Sequence, residues 1–168
     1  PQKTEFKTRF HLLDTLVSIL TGRLLPPGKK AFQFSKVQGG IKESTLLGSD
    51  VKVSAINAGF SNGMAAHANE TDDSTTEGRF HPGCAIVPAT LAVAEREKLG
   101  SEEIIKAIAL GYDIGVRITT SLGYKTPKTS IFATHSIGPI FGCAASAGAL
   151  LKLTHEQCNY LLSYTVQQ

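Results

Sequence analysis

From Thr129 to Leu151 the chain reads TSIFATHSIGPIFGCAASAGALL, 23 residues without Asp, Glu, Lys or Arg. A run of that length either crosses a bilayer or is enclosed by the rest of a protein. Its chemistry favours enclosure. It holds His135, Pro139, three glycines and many Ala and Ser, which makes it weakly hydrophobic, and a helix walled in by other helices explains it better than a membrane span. No membrane partner is expected.

A second stretch, SAINAGFSNGMAAHANE from Ser54, is also dominated by small residues. A helix built from them lets neighbouring backbones approach closely and is expected to be buried from Ala55 to Ala68. FKTRFHLLDTLVSIL places Phe6, Phe10, Leu13, Val17 and Leu20 at helical spacing, with Gly22 as the stop, an amphipathic helix. RLLPPGKKAFQF reads as a turn into a shorter segment. KVQGGIKESTLLGSDVKVS reads as a Gly-broken loop with a short apolar step at Thr45 to Leu47, and no strong strand is expected anywhere. Pro88 reads as a first-turn residue of PATLAVAEREKLG. Ser101 reads as the N-cap of SEEIIKAIALGYDIGVRITTSLG, with Glu102 and Glu103 in the first turn and Ile104, Ile105, Ile108, Ile114 and Ile118 on its apolar face. YKTPKTS reads as a loop, His135 to Leu153 as a small-residue helix, and Thr154 as the cap of HEQCNYLLSYTVQQ. The sum is all-α, one domain over residues 1–168.

With 17 basic residues against 14 acidic ones, scattered along the chain, no nucleic-acid partner is indicated. Three cysteines without a CxxC pair make a poor disulfide framework, so a reducing cytoplasmic setting fits best. PQKTEFKTRF has no apolar signal-peptide core.

The ionisable chemistry concentrates in GMAAHANETDDSTTEGRFHPGC, Gly63 to Cys84. One reading is a metal-dependent hydrolase, with His67 and Glu70 on one helix face and Asp72, Asp73 and His81 completing a shell. Bundle di-metal sites draw such motifs from two helix pairs, and no second Glu-plus-His helix exists here, so no metal is expected. A nucleophilic Cys84 assisted by His81 is weaker than a small buried thiol. Asp72, Asp73 and Glu77 also suit a solvated loop. His67 and His81 border helices expected to be buried, where an imidazole finds partners or does chemistry; for His67 a structural partnership is expected. A carboxylate, a hydroxyl and a histidine at converging helix ends suit removal of a proton beside a carboxylate. Residue chemistry reaches that class and stops.

INAGFSNGMAAHANETDD, HPGCAIVPATLAVAE, LGYDIGVRI and FATHSIGPIFGCAASAGALLKLTHEQ together resemble the successive blocks of the MmgE/PrpD superfamily of dehydratases, decarboxylases and epimerases. The resemblance runs over nearly the whole chain, in order and at matching spacing. It implies a cofactor-free homodimer with a large helical domain, and a lid that closes over carboxylic-acid substrates; the lid and later helices, with their site lysines, are expected to lie outside this chain, which alone would be incomplete. By motif, the resemblance places the site acid on Glu70, the hydroxyl on Ser74, and the acid/base histidines on His81 and His135, with Asp73 and Thr75 as substrate contacts. Glu70 departs from the family's Asp by one methylene, and the Asp73 to His81 loop need not match in length. The implied function is a lyase or isomerase that abstracts a proton α to a carboxylate of a di- or tricarboxylic acid. The alternative is a helical dimerisation or binding module that keeps the fold without catalysis.

Overall fold

The computed structural model describes residues 2–123 and 133–168. Among them run the helices α1 (Gln2–Gly22), α2 (Pro26–Gln38), α3 (Ala55–Ala66), α4 (Gly83–Arg96), α5 (Ser101–Ser121), α6 (Thr134–Leu150) and α7 (His155–Val166). Two-residue strands β1 (Ser44–Thr45) and β2 (Lys52–Val53) pair antiparallel between α2 and α3. The chain is therefore all-α with a minimal hairpin. No described helix is long and apolar enough to cross a membrane. The YKTPKTS loop lies outside the described residues.

Glycine sets how closely the central helices pack. A Cβ on Gly115 of α5 would lie 2.8 Å from the Gly138 carbonyl oxygen of α6, and one on Gly142 would lie 2.8 Å from the Gly111 carbonyl oxygen. Backbone thus meets backbone along this pair, which only small residues allow.

The same rule turns α1 in an unexpected direction. Its inward residues are Thr8, Thr15, Ser18, Ile19 and Gly22, and a Cβ on Gly22 would overlap the Ala65 carbonyl of α3. Phe6, Phe10, Leu13, Val17 and Leu20 lie on the opposite face, each more than half exposed. The helix forms as the periodicity predicts, but its apolar stripe faces away from this domain's core.

Other boundaries shift for local reasons. Helix α4 begins at Gly83, so Pro88 sits buried inside it instead of in its first turn. That proline frees the Cys84 carbonyl, and Gly63 of α3 leaves room there, since a Cβ would stand 2.9 Å from that oxygen. Ser101 is the first helical residue, with Gly100 at the N-cap. Helix α3 ends at Ala66 and buries only one face, with Ile56, Phe60 and Met64 exposed. Thr154 caps α7 as expected, in a capping box with Gln157. The hairpin is clamped to α4 by Glu95, which accepts from Thr45 N–H and Oγ1 at 2.7 Å each and pairs with Lys52 Nζ at 2.7 Å. Beneath it Leu46 and Val53 enter a core with Ala55, Ala58 and Ala92.

Candidate functional site

The segment between α3 and α4 carries two adjacent aspartates with separate tasks. Asp73 ties helices together. Its Oδ1 accepts from Gly83 N–H at the start of α4 at 2.8 Å, and its Oδ2 accepts from the Tyr112 hydroxyl of α5 at 2.8 Å. His11 Nδ1 of α1 lies 2.7 Å from Oδ2. The bond to Asp73 raises the His11 pKa above its ordinary value, outweighing the opposing effect of burial. Burial, reinforced by the Asp73 charge, pushes the Tyr112 hydroxyl far up.

Asp72 turns the other way, its side chain fully buried, and meets two imidazoles. His67, which ends α3, places Nδ1 at 3.0 and 3.3 Å from the two carboxylate oxygens. His81 Nδ1 lies 3.3 Å from the Asp72 main-chain oxygen and 3.5 Å from Oδ2. The two rings stand 4.9 Å apart, and His135 of α6 stands 6.1 Å from His81 on a further element.

Two anchors hold His81 beside His135. Phe80, 1% exposed, sits against glycine: a Cβ on Gly138 would come within 2.6 to 2.9 Å of three of its ring carbons. The Thr134 hydroxyl, at the first residue of α6, donates to the Arg79 carbonyl at 2.7 Å. The charge-free make-up of α6 thus has a local use, because its glycines accept the aromatic side chain that precedes His81.

The structure therefore brings His81 and His135 together. Glu70 sits exposed in a left-handed turn with φ 49°, and its carboxylate makes no hydrogen bond or ion pair among the described residues. Ser74 is exposed. Thr75, expected as a substrate contact, also shapes the loop: its Oγ1 accepts from Gly78 N–H and donates to Glu77, both at 3.2 Å. Asp73, expected in the same role, has both oxygens engaged by the protein. His67, for which a structural partnership is expected, bonds the Asp72 carboxylate.

Cys84 donates to the His81 carbonyl at 3.3 Å. Burial, followed by the Asp72 charge, pushes its thiol far up, which suits an inert thiol. Donor atoms of His67, Asp72 and Cys84 lie within 4.8 Å of one another; an ion would have to take Asp72 from its imidazoles and strip that thiol. A cleft of about 320 Å³ between α1 and α5 is lined by Lys3, Lys7, His11 and Tyr112, among others, and includes none of His67, His81 and His135.

Asp72, which from the sequence suits a solvated loop or a metal shell, is instead the buried acceptor between two imidazoles. A signal was present, since two histidines bordering buried helices need an acceptor and the doubled aspartate lies between them. His11 and Tyr112 carry no comparable signal, as Tyr112 reaches Asp73 across 39 residues.

The chain matches the family model of the MmgE/PrpD N-terminal domain over residues 1–168. It is similar to cis-aconitate decarboxylase of Homo sapiens, 28% identical over 160 residues that cover 92% of this chain and 33% of that protein. It is also similar to cis-aconitate decarboxylase of Mus musculus, 27% identical over 160 residues with the same coverage of each. The chain spans about a third of the length of these curated relatives.

Proposed function

The chain belongs to the MmgE/PrpD family, and on that premise we propose that it supplies the histidine side of a lyase or isomerase site acting on a di- or tricarboxylic acid. The supporting observation is that His81 and His135, from separate elements, lie 6.1 Å apart with a buried carboxylate against the first. One imidazole takes the proton α to a substrate carboxylate, and the electron pair left on carbon spreads into that carboxylate. The other returns a proton to the departing hydroxyl, or to the opposite face of the same carbon. Decarboxylation uses the same pair in exchanged roles, an acid delivering a proton to carbon as carbon dioxide leaves. Glu70 and Ser74, both exposed on the loop before His81, orient the substrate. Similarity to the two decarboxylases makes a cis-aconitate-like tricarboxylate the first substrate to test.

The test uses the protein at its relatives' full length, in deuterated water, with cis-aconitate, 2-methylcitrate and related acids. NMR follows deuterium entering the α position and loss of substrate. His81→Gln and His135→Gln should each lower kcat by about 10²–10⁴-fold, the usual worth of a positioned acid or base. Failure of the unsubstituted protein to exchange or consume any of these acids would overturn the proposal.

A second reading rests on the α1 stripe. Five large apolar residues on one helix face, each more than half exposed, support a docking role, with a second copy of the protein as occupant. Light scattering on the full-length protein decides it, a monomer counting against.

A further inference from the structure

We infer that Asp72 is the positioning residue for His81, holding the hydrogen of that imidazole on Nδ1 so that Nε2 carries the lone pair that accepts the substrate proton. The inference rests on the proposed acid/base role of His81 and adds which nitrogen reacts and what selects it.

The argument begins with acceptors. His81 Nδ1 faces the Asp72 main-chain oxygen at 3.3 Å and the Asp72 carboxylate at 3.5 Å. A carbonyl oxygen and a carboxylate only accept, so the favourable partner is an Nδ1–H. The same holds at His67, whose Nδ1 meets both Asp72 oxygens. One buried residue thus offers acceptors to both rings, its carboxylate to His67 and, to His81, its main-chain oxygen with the carboxylate 3.5 Å away. Its own side chain is fully buried, whereas the His67 and His81 side chains remain 43% and 26% exposed. The reachable parts of the rings are therefore those turned from Asp72. In a five-membered ring Nε2 lies across from the bond that Nδ1 makes, so it belongs to that reachable edge.

The arrangement also answers a charge requirement. When Nε2 takes a proton the ring becomes cationic, and a carboxylate already in contact stabilises it without moving. Asp72 can do this because Asp73 carries the structural duty, holding α1, α4 and α5 through His11, Gly83 and Tyr112. Replacing Asp72 therefore leaves the main inter-helix bolt of this segment in place.

The experiment reads tautomers directly, by nitrogen-15 and carbon-13 NMR of the histidine rings in the full-length protein. The unsubstituted protein should show His81 and His67 as Nδ1–H. In Asp72→Asn the main-chain oxygen stays but the carboxylate beside His81 becomes an amide with one acceptor and one donor, so the share of His81 in the Nδ1–H form should fall. In the same variant kcat should fall by about 10²–10⁴-fold, as loss of the correct tautomer does elsewhere, with KM changed by only a few-fold. His67→Gln removes the competing ring and should leave His81 as Nδ1–H. His81 found as Nε2–H in the unsubstituted protein overturns the inference, even if Asp72→Asn fails to fold. Unchanged tautomers or an unchanged kcat in Asp72→Asn also overturn it. Correct tautomers in a protein that processes none of the acids would count instead against the proposed function.

Discussion

Replacing Gly138 by Ala adds one methyl group where the fold has placed an aromatic ring. The new Cβ would lie 2.6, 2.7 and 2.9 Å from three ring carbons of Phe80, whereas carbon atoms rest at about 3.5–4.0 Å. Relief needs a shift of about 1 Å, and Phe80, 1% exposed, has no solvent side to retreat to. Two effects of opposite sign compete. Helix propensity favours Ala over Gly by about 1 kcal/mol, whereas overpacking a filled site costs about 1–3 kcal/mol. Taking the middle of that range, the clash wins by about 1 kcal/mol, and Tm falls by about 2–4 °C for a chain of this size. His81 follows Phe80 directly, and misplacing a reacting group by about 1 Å lowers kcat by ~10²-fold.

Gly59 of α3 is the control. A Cβ there would meet Ala89 Cα at 3.9 Å and Ala92 Cβ at 4.0 Å, ordinary contact, so Gly59→Ala displays propensity alone and should raise Tm. Pro139 complicates the comparison, because a Cβ on the residue before proline is itself disfavoured in a helix. A double-mutant cycle of Gly138→Ala with Phe80→Leu removes that contribution, since it does not depend on the ring. Melts followed by circular dichroism give all four corners. Absence of coupling between the two substitutions would refute the idea that a glycine slot for Phe80 fixes the loop.

Two further predictions concern pH. The Asp73 bond raises the His11 pKa above 6.5, so its stabilisation is complete below 6.5 and is lost as pH rises through the folded value. The stability gap between the unsubstituted protein and His11→Ala, measured by urea melts, should therefore shrink toward alkaline pH; with 43% of the His11 side chain exposed, screening keeps it small, and a gap independent of pH would contradict the assignment. At Glu95 burial opposes the charge, yet bonds from Lys52 and Thr45 outweigh it and hold the carboxyl below 4.5, so that stabilisation is present above 4.5 and disappears as pH falls through the folded value. Glu95→Gln should cost about 1 kcal/mol at neutral pH and nothing in strong acid, and an equal loss at both would show that charge is not the cause.

Helix existence was legible because it depends on spacing and caps that are local, as at Thr154 and along α1. Which face turns inward was not, because α1 packs by backbone approach through Gly22 against Ala65, and that places small residues inward and Phe6, Phe10 and Leu13 outward. Pro88 misled for a related reason, since its position inside α4 depends on space left by Gly63 on another helix. At the site, the family resemblance singles out His81 and His135, and the fold sets their rings 6.1 Å apart. The division of labour between Asp72 and Asp73 was not, because identical neighbours in sequence acquire opposite tasks only from partners that the fold brings up on either side.

Asp73 joins His11, Gly83 and Tyr112, and these leave the ribosome in that order. Some 100 residues separate the first from the last, which at ~5–20 residues per second takes roughly 5–20 s. Throughout that interval His11 of α1 has emerged while Tyr112, which shares the Asp73 carboxylate with it, has not. The three-way junction at Asp73 is therefore complete only once α5 has emerged, so translation speed between residues 12 and 112 sets how long α1 waits for it.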